Sequence, residues 1–92
     1  MNDTNSHPSH PEIVNRLKRT EGHLRGVLEM LESQRSCLDI AQQLHAIEKA
    51  IGAAKKLLIH DHIDHCLERA VHGKTQNIDD TFSEFKVITK YL

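Results

Sequence analysis

The sequence predicts an all-α chain of three helices whose long second helix forms the core of an antiparallel dimer. Three observations carry that expectation. Apolar residues recur at four- and three-residue spacing through two long segments, and no stretch alternates at period two as a strand would. The second segment also runs too far for a compact domain of 92 residues. With 38% apolar and 3% aromatic residues, one chain has little from which to build a wide core, so a partner chain is expected on size alone.

Residues 1–10, "MNDTNSHPSH", read as a flexible tail carrying His7 and His10, and residues 11–92 as the domain. "SHPE" supplies a helix start: Ser9 caps, Pro11 sits in the tolerated first turn, and Glu12 follows Ser9 by three residues as in a capping box. From there Ile13, Leu17, Thr20, Leu24, Val27 and Leu31 repeat at 4-3-4-3-4 spacing, which predicts a helix to about Glu32. "SQRS" interrupts the pattern, and Ser36 with Asp39 is a second capping signal. Ile40, Leu44, Ile47, Ile51, Ala54 and Leu58 then keep the same period, drifting through Ile63, Leu67 and Val71 until Gly73 stops the helix. Asn77 with Asp80 opens a short third helix, with Ile78, Phe82, Phe85, Ile88 and Leu92 on its apolar face.

An unbroken helix from about Leu38 to His72 is roughly 50 Å long, so its ends must pack against something else. It also separates the two cysteines. Cys37 and Cys66 stand about 43 Å apart along such a helix, far beyond the reach of one metal ion. Two copies lying antiparallel remove the difficulty: a two-fold axis at the midpoint places Cys37 of one chain beside Cys66 of the other and creates two identical sites. That midpoint falls between Ile51 and Gly52, where Ala50, Gly52, Ala53 and Ala54 are small enough for close approach. Close approach gives Gly52 a purpose that offsets its cost of about 1 kcal/mol inside a helix; otherwise it is merely tolerated there.

"LLIHDHIDHCLERAV" (57–71) holds His60, His62, His65 and Cys66. His62 and Cys66, at i and i+4, face the same way and can share an ion. With Cys37 from the partner they make a two-sulfur, one-nitrogen set suited to Cu(I), or with a fourth ligand to Zn(II), Ni(II) or Co(II). His60 and His65 project elsewhere. Surface histidines are common and mostly silent, and that reading suits His23, His45 and His72.

Charge and composition narrow the partners. A net charge of −1 excludes a globally basic nucleic-acid binder, so a DNA surface would be a local patch repeated across subunits. Two cysteines without a signal peptide suggest thiols in a reducing cytoplasm, and no apolar run is long enough for a membrane. No nucleophile–base constellation or phosphate-cradling glycine loop is present, which argues against an enzyme.

"NRLKRTEGHLRGV" (15–27), the single cysteine of "SCLDIAQQLHAI" and "LLIHDHIDHCLERAV" together resemble the CsoR/RcnR family of small metal- and thiol-responsive repressors, over about residues 9–92. The resemblance implies a homodimer with an antiparallel core, paired again into a dimer of dimers (a homotetramer). It further implies repression of transcription on double-stranded operator DNA, relieved when an inducer binds between subunits. By position, the copper-type ligand set falls on Cys37, His62 and Cys66. In the nickel and cobalt branch an N-terminal histidine joins; its equivalent here is about Asn5, with His7 and His10 close by as additional candidate ligands. The formaldehyde branch has proline at position 2, where this chain has Asn2, and the persulfide branch lacks the histidine that His62 supplies. The copper members' outer network of a tyrosine and a third-helix glutamate corresponds to Ser36 and, approximately, Glu84.

Arg16, Lys18, Arg19 and Arg25 outnumber Glu21 within residues 13–25, and Arg16, Arg19 and His23 line a stripe away from the apolar face. Alone this is an ordinary solvated helix face. The resemblance makes Arg16, Lys18 and Arg19 the candidate DNA contacts, acting through phosphates and DNA shape rather than a recognition helix. Two rival readings remain at this point: a redox or persulfide switch through Cys37 and Cys66, and a metal-carrying bundle that does not bind DNA.

Overall fold

The computed structural model describes residues 8–71 and 78–92, the side chains of 69, 70 and 78–81 excepted. It contains α1 (His10–Glu32), α2 (Cys37–Val71) and α3 (Ile78–Thr89), and every regular element among the described residues is a helix. The all-α, three-helix expectation holds. The boundary signals at Gly73 and Asn77 lie outside the described residues, as do His7 and His72.

α1 starts at His10, one residue ahead of the expected domain edge, with Pro11 in the first turn where its missing N–H has no helical partner to lose. The capping box is not closed as expected. Glu12 accepts hydrogen bonds from Arg16 one turn on, at 3.3 Å from Nε and 3.1 Å from Nη2. Ser9 donates its hydroxyl to the carboxylate of Asp61.

The break at "SQRS" is a helix end followed directly by a helix start. The Arg35 N–H donates to the Met30 carbonyl (2.9 Å) and the Gln34 N–H to the Leu31 carbonyl (3.2 Å), with Gln34 at φ 57°. This is the Schellman arrangement, in which the left-handed residue is usually glycine. Ser36 then caps α2, accepting the Asp39 N–H at 3.1 Å as its spacing predicts. α2 runs unbroken for 35 residues from Cys37.

The chain divides into two units. In the unit spanning Pro11–Ala54, the heptad pattern of each helix splits into two lines with different fates. Ile13 and Val27 on α1, and Ile40, Ile47 and Ala54 on α2, recur at multiples of seven residues and are buried. Val27, Ile40 and Ile47 form the core, with Met30 packed against it. The intervening line stays open: Leu17, Leu24 and Leu31 are 43%, 45% and 54% exposed, and Leu44 and Ile51 are 45% and 48% exposed. One chain therefore uses half of each apolar stripe.

Two expectations need correction in this unit. His23 does not extend the basic stripe; it is half-buried and its Nε2 donates to Gln43 Oε1 at 2.6 Å, tying α1 to α2. Ala54 is buried within its own chain rather than held open for a partner. Ala50 and Ala53 are exposed, and a Cβ added at Gly52 would meet nothing within 4 Å.

The other unit comprises Lys55–Leu92 with the residues up to His10. Here the buried residues of α2 leave the Ile40–Ile47–Ala54 line. Ile59 and Cys66 are buried and Ile63 half-buried, while Leu58, Leu67 and Val71 are exposed. Ile59 follows Ala54 by five residues rather than seven, so at about 100° per residue it lies on another side of α2; the buried side here is set by what packs in this unit and not by continuation of the repeat. Of the expected α3 face, Phe85 and Ile88 are half-buried and Phe82 and Leu92 exposed.

The α1–α2 turn offers a paired stability test. Gln34→Gly should raise stability by about 0.5–1 kcal/mol by relieving the left-handed backbone. Ser36→Ala should lower it by about 1 kcal/mol through loss of the cap. Urea denaturation of the two variants beside the parent checks the opposite signs.

Candidate metal centre

α2 presents His62 and Cys66 one turn apart on one face, as their spacing requires. His62 Nε2 lies 3.4 Å from Cys66 Sγ. α3 brings a third donor: Glu84 Oε1 is 3.1 Å from the same Nε2. One ligand atom from each of His62, Cys66 and Glu84 lies within 4.8 Å of the others, making them a group able to hold a metal ion. Cys66 is buried, the His62 side chain is 18% exposed and that of Glu84 62% exposed. The thiol thus forms a dry floor and the carboxylate a wet mouth.

This donor set fits a transition metal, and it permits two modes of binding. Nε2 is the ring nitrogen that meets both Cys66 Sγ and Glu84 Oε1, so it would be the imidazole ligand. In one mode His62 and Cys66 would ligate and Glu84 would contribute only its nearby negative charge. In the other, Glu84 would stand beside Nε2 as an oxygen ligand. The first mode offers sulfur and nitrogen, which suit Cu(I); the second adds a hard oxygen, which suits Ni(II) or Co(II).

The other candidates are distributed differently. Cys37 is the first residue of α2, exposed, and in the Pro11–Ala54 unit. His10 opens α1 and is half-buried; it is not among the three converging residues. His60 is exposed and His65 half-buried, and neither joins the cluster. Glu84 is the site residue that sequence patterning hardly reveals. It lies on another helix from His62, and no local spacing links them; only positional likeness to a family pointed near it.

Arg16, Lys18 and Arg19 are all exposed on α1. Arg16 pairs with Glu12 at 3.1 Å, and Arg25 pairs with Glu21 at 3.1 Å. Among the described residues Lys18 and Arg19 have no carboxylate within ion-pair distance. Surface i,i+4 pairs are worth only about 0.3–0.5 kcal/mol, so Glu12 holds Arg16 weakly.

A family model described as metal-sensitive transcriptional repressor matches residues 9–89. The chain belongs to this family. It is 38% identical over 81 residues to the copper-sensing transcriptional repressor CsoR of Bacillus subtilis, covering 86% of this chain and 80% of that one. It is 38% identical over 69 residues to the copper-sensing transcriptional repressor RicR of Mycobacterium tuberculosis, covering 75% and 72%. Its match to CsoR of Mycobacterium ulcerans, at 40% identity, spans 63% of this chain and 50% of that protein. Among solved structures, the nickel-responsive transcriptional regulator InrS superposes with a TM-score of 0.79 at 34% identity, covering 95% of this chain and 97% of that one. The fold and family of this metal-sensing repressor thereby stand on independent grounds, and a regulator rather than an enzyme is what the family describes. No helix among the described residues is long and apolar enough to cross a membrane.

The repressor's cluster places a measurable demand on Glu84. Glu84→Gln keeps the shape but weakens the acceptor facing His62. Metal affinity should fall about 10- to 100-fold with stoichiometry unchanged, read by competition against a chelator of known affinity. Unchanged affinity would remove Glu84 from the centre.

Proposed function

We propose that this repressor binds operator DNA in its metal-free form and is released when a metal ion, Cu(I) in the favoured case, binds between subunits. The ion is held by His62 and Cys66 of one chain and Cys37 of another. The convergence of His62 and Cys66, with Glu84 beside them, carries the reading. The copper-sensing relatives support the choice of Cu(I).

The unbroken course of α2 supports an antiparallel dimer as the way to supply Cys37. A helical rise of 1.5 Å per residue keeps Cys37 and Cys66 of one chain on different sites. The unused apolar line of the Pro11–Ala54 unit (Leu17, Leu24, Leu31, Leu44, Ile51) offers that partner a surface. Gly52, with open space where a Cβ would stand, sits at the expected axis. Pairing two such dimers would repeat the basic patch often enough for a chain of net charge −1 to hold DNA.

In this mechanism Cys37, on the first turn of one α2, and His62 with Cys66, near the far end of another, are drawn together by a shared ion. Helix ends that were independent become linked. The linked form presents Arg16, Lys18 and Arg19 in an arrangement that no longer matches DNA. Typical allosteric couplings of about 1–3 kcal/mol, or roughly 5- to 150-fold, suffice for release.

A second reading has its own support. The nickel-responsive structural neighbour and the carboxylate within the cluster favour Ni(II) or Co(II), with Glu84, His7 or His10 completing the coordination.

Anaerobic titration of the reduced protein on its own upstream DNA, followed by fluorescence anisotropy, tests these readings. Release at one Cu(I) per chain is expected, with Ni(II) inert; release by Ni(II) alone would replace copper by the second reading. Cys37→Ala should bind DNA as the parent does and no longer respond to metal, and a normal response would refute the inter-subunit site.

The DNA surface has a separate test. Lys18→Ala and Arg19→Ala should each weaken binding across all sequences and flatten the log–log salt dependence by about 1 for each phosphate left unneutralised. A parental salt slope in both variants would place the DNA surface elsewhere.

A further inference from the structure

Two consecutive residues of α2 hold different neighbours. The carboxylate of Asp61 accepts the hydroxyl of Ser9, at the entry to α1. The imidazole of His62 faces Glu84 on α3. Successive helical residues project about 100° apart, so a single turn of α2 is gripped on two sides. Ser9 and Asp61 are both half-buried, and a carboxylate acceptor makes their bond the stronger, charge-assisted kind. Ser9 immediately precedes α1, the helix that carries Arg16, Lys18 and Arg19.

We propose that Asp61 is a positioning residue for the regulatory response, joining the turn that presents His62 to the start of α1. The inference rests on the metal-release reading above. Residues 61 and 62 share one hydrogen-bonded turn, so their side chains cannot reorient independently of its backbone. Any shift of that turn when His62 takes up an ion is delivered to Ser9 through the Asp61 carboxylate. From Ser9 it passes into a helix whose backbone ladder transmits displacement along its length. The His62–Glu84 pair and the Asp61–Ser9 bond are then the two outputs of one event, one toward α3 and one toward the basic residues. A bond serving only to anchor the chain would stabilise the fold without affecting the link between metal and DNA.

The experiment compares Ser9→Ala, Asp61→Ala and Asp61→Asn in the full chain, measuring Cu(I) affinity, metal-free DNA affinity and the ratio of DNA affinities without and with Cu(I). Ser9→Ala and Asp61→Ala should keep Cu(I) and metal-free DNA affinities within about threefold of the parent. The ratio should fall fivefold or more in both. Ser9→Ala should add nothing further in the Asp61→Ala background, where the bond they share is already gone. Asp61→Asn, whose amide oxygen still accepts a hydroxyl, should restore most of the ratio. A parental ratio in both alanine variants overturns the proposal. So does a lost ratio that Asp61→Asn fails to restore, or one that follows a matching loss of Cu(I) binding or thermal stability, because the role is then structural. A parent that releases DNA with neither Cu(I) nor Ni(II) overturns the metal-release reading itself, which the parent arm of the experiment reveals before any variant is read.

Discussion

The uninterrupted hydrogen-bond ladder of α2 is the constraint on which the rest depends. A helix of 35 residues is a stiff spacer whose rise is set by backbone geometry and not by side chains. Placing one cysteine at its first residue and the other near its far end keeps the two thiols of a chain from serving one ion. Under the proposed function, that separation is what makes metal binding an event between subunits. A sensor whose ligands all came from one turn could bind its ion without altering the assembly. A site divided between two long helices cannot close without fixing how they lie.

The same helix explains why so much apolar surface is left uncovered in one chain. A 4-3 repeat produces two lines of apolar residues on each helix. In the Pro11–Ala54 unit one line is consumed by packing α1 against α2 around Val27, Ile40 and Ile47, while the other remains open. Burial at about 25 cal/mol per Å² makes such an open line a substantial reserve of association energy. The polar bond between His23 and Gln43 has a complementary role: it sets how α1 and α2 lie against each other in that unit, where apolar contacts alone specify position loosely.

Around residues 59–66 structural and chemical demands share one stretch. Cys66 is buried along with Ile59 and also belongs to the group able to hold a metal ion. Burial beside His62 confines it, and Glu84 faces the imidazole from α3. Relatives on this fold include a copper-sensing repressor and a nickel-responsive regulator. Small changes in which donors engage suffice to change the preferred ion.

The sequence by itself determined the number of helices, the break at "SQRS", the Ser36 cap and the His62–Cys66 pair, because each follows from neighbours within one or two turns. It also carried the family resemblance, through residues 15–27 and 57–71. Tertiary structure alone decided which half of each stripe is buried, since a 4-3 repeat marks two lines equally and only packing chooses between them. It placed Ile59 and Cys66 inward, because the buried side of a helix follows what packs against it and not the repeat alone. It turned His23 inward to Gln43, drew Ser9 to Asp61 and set Glu84 against His62. Those pairings join residues 20, 52 and 22 positions apart, and no local rule of spacing connects side chains that meet only after separate helices have packed.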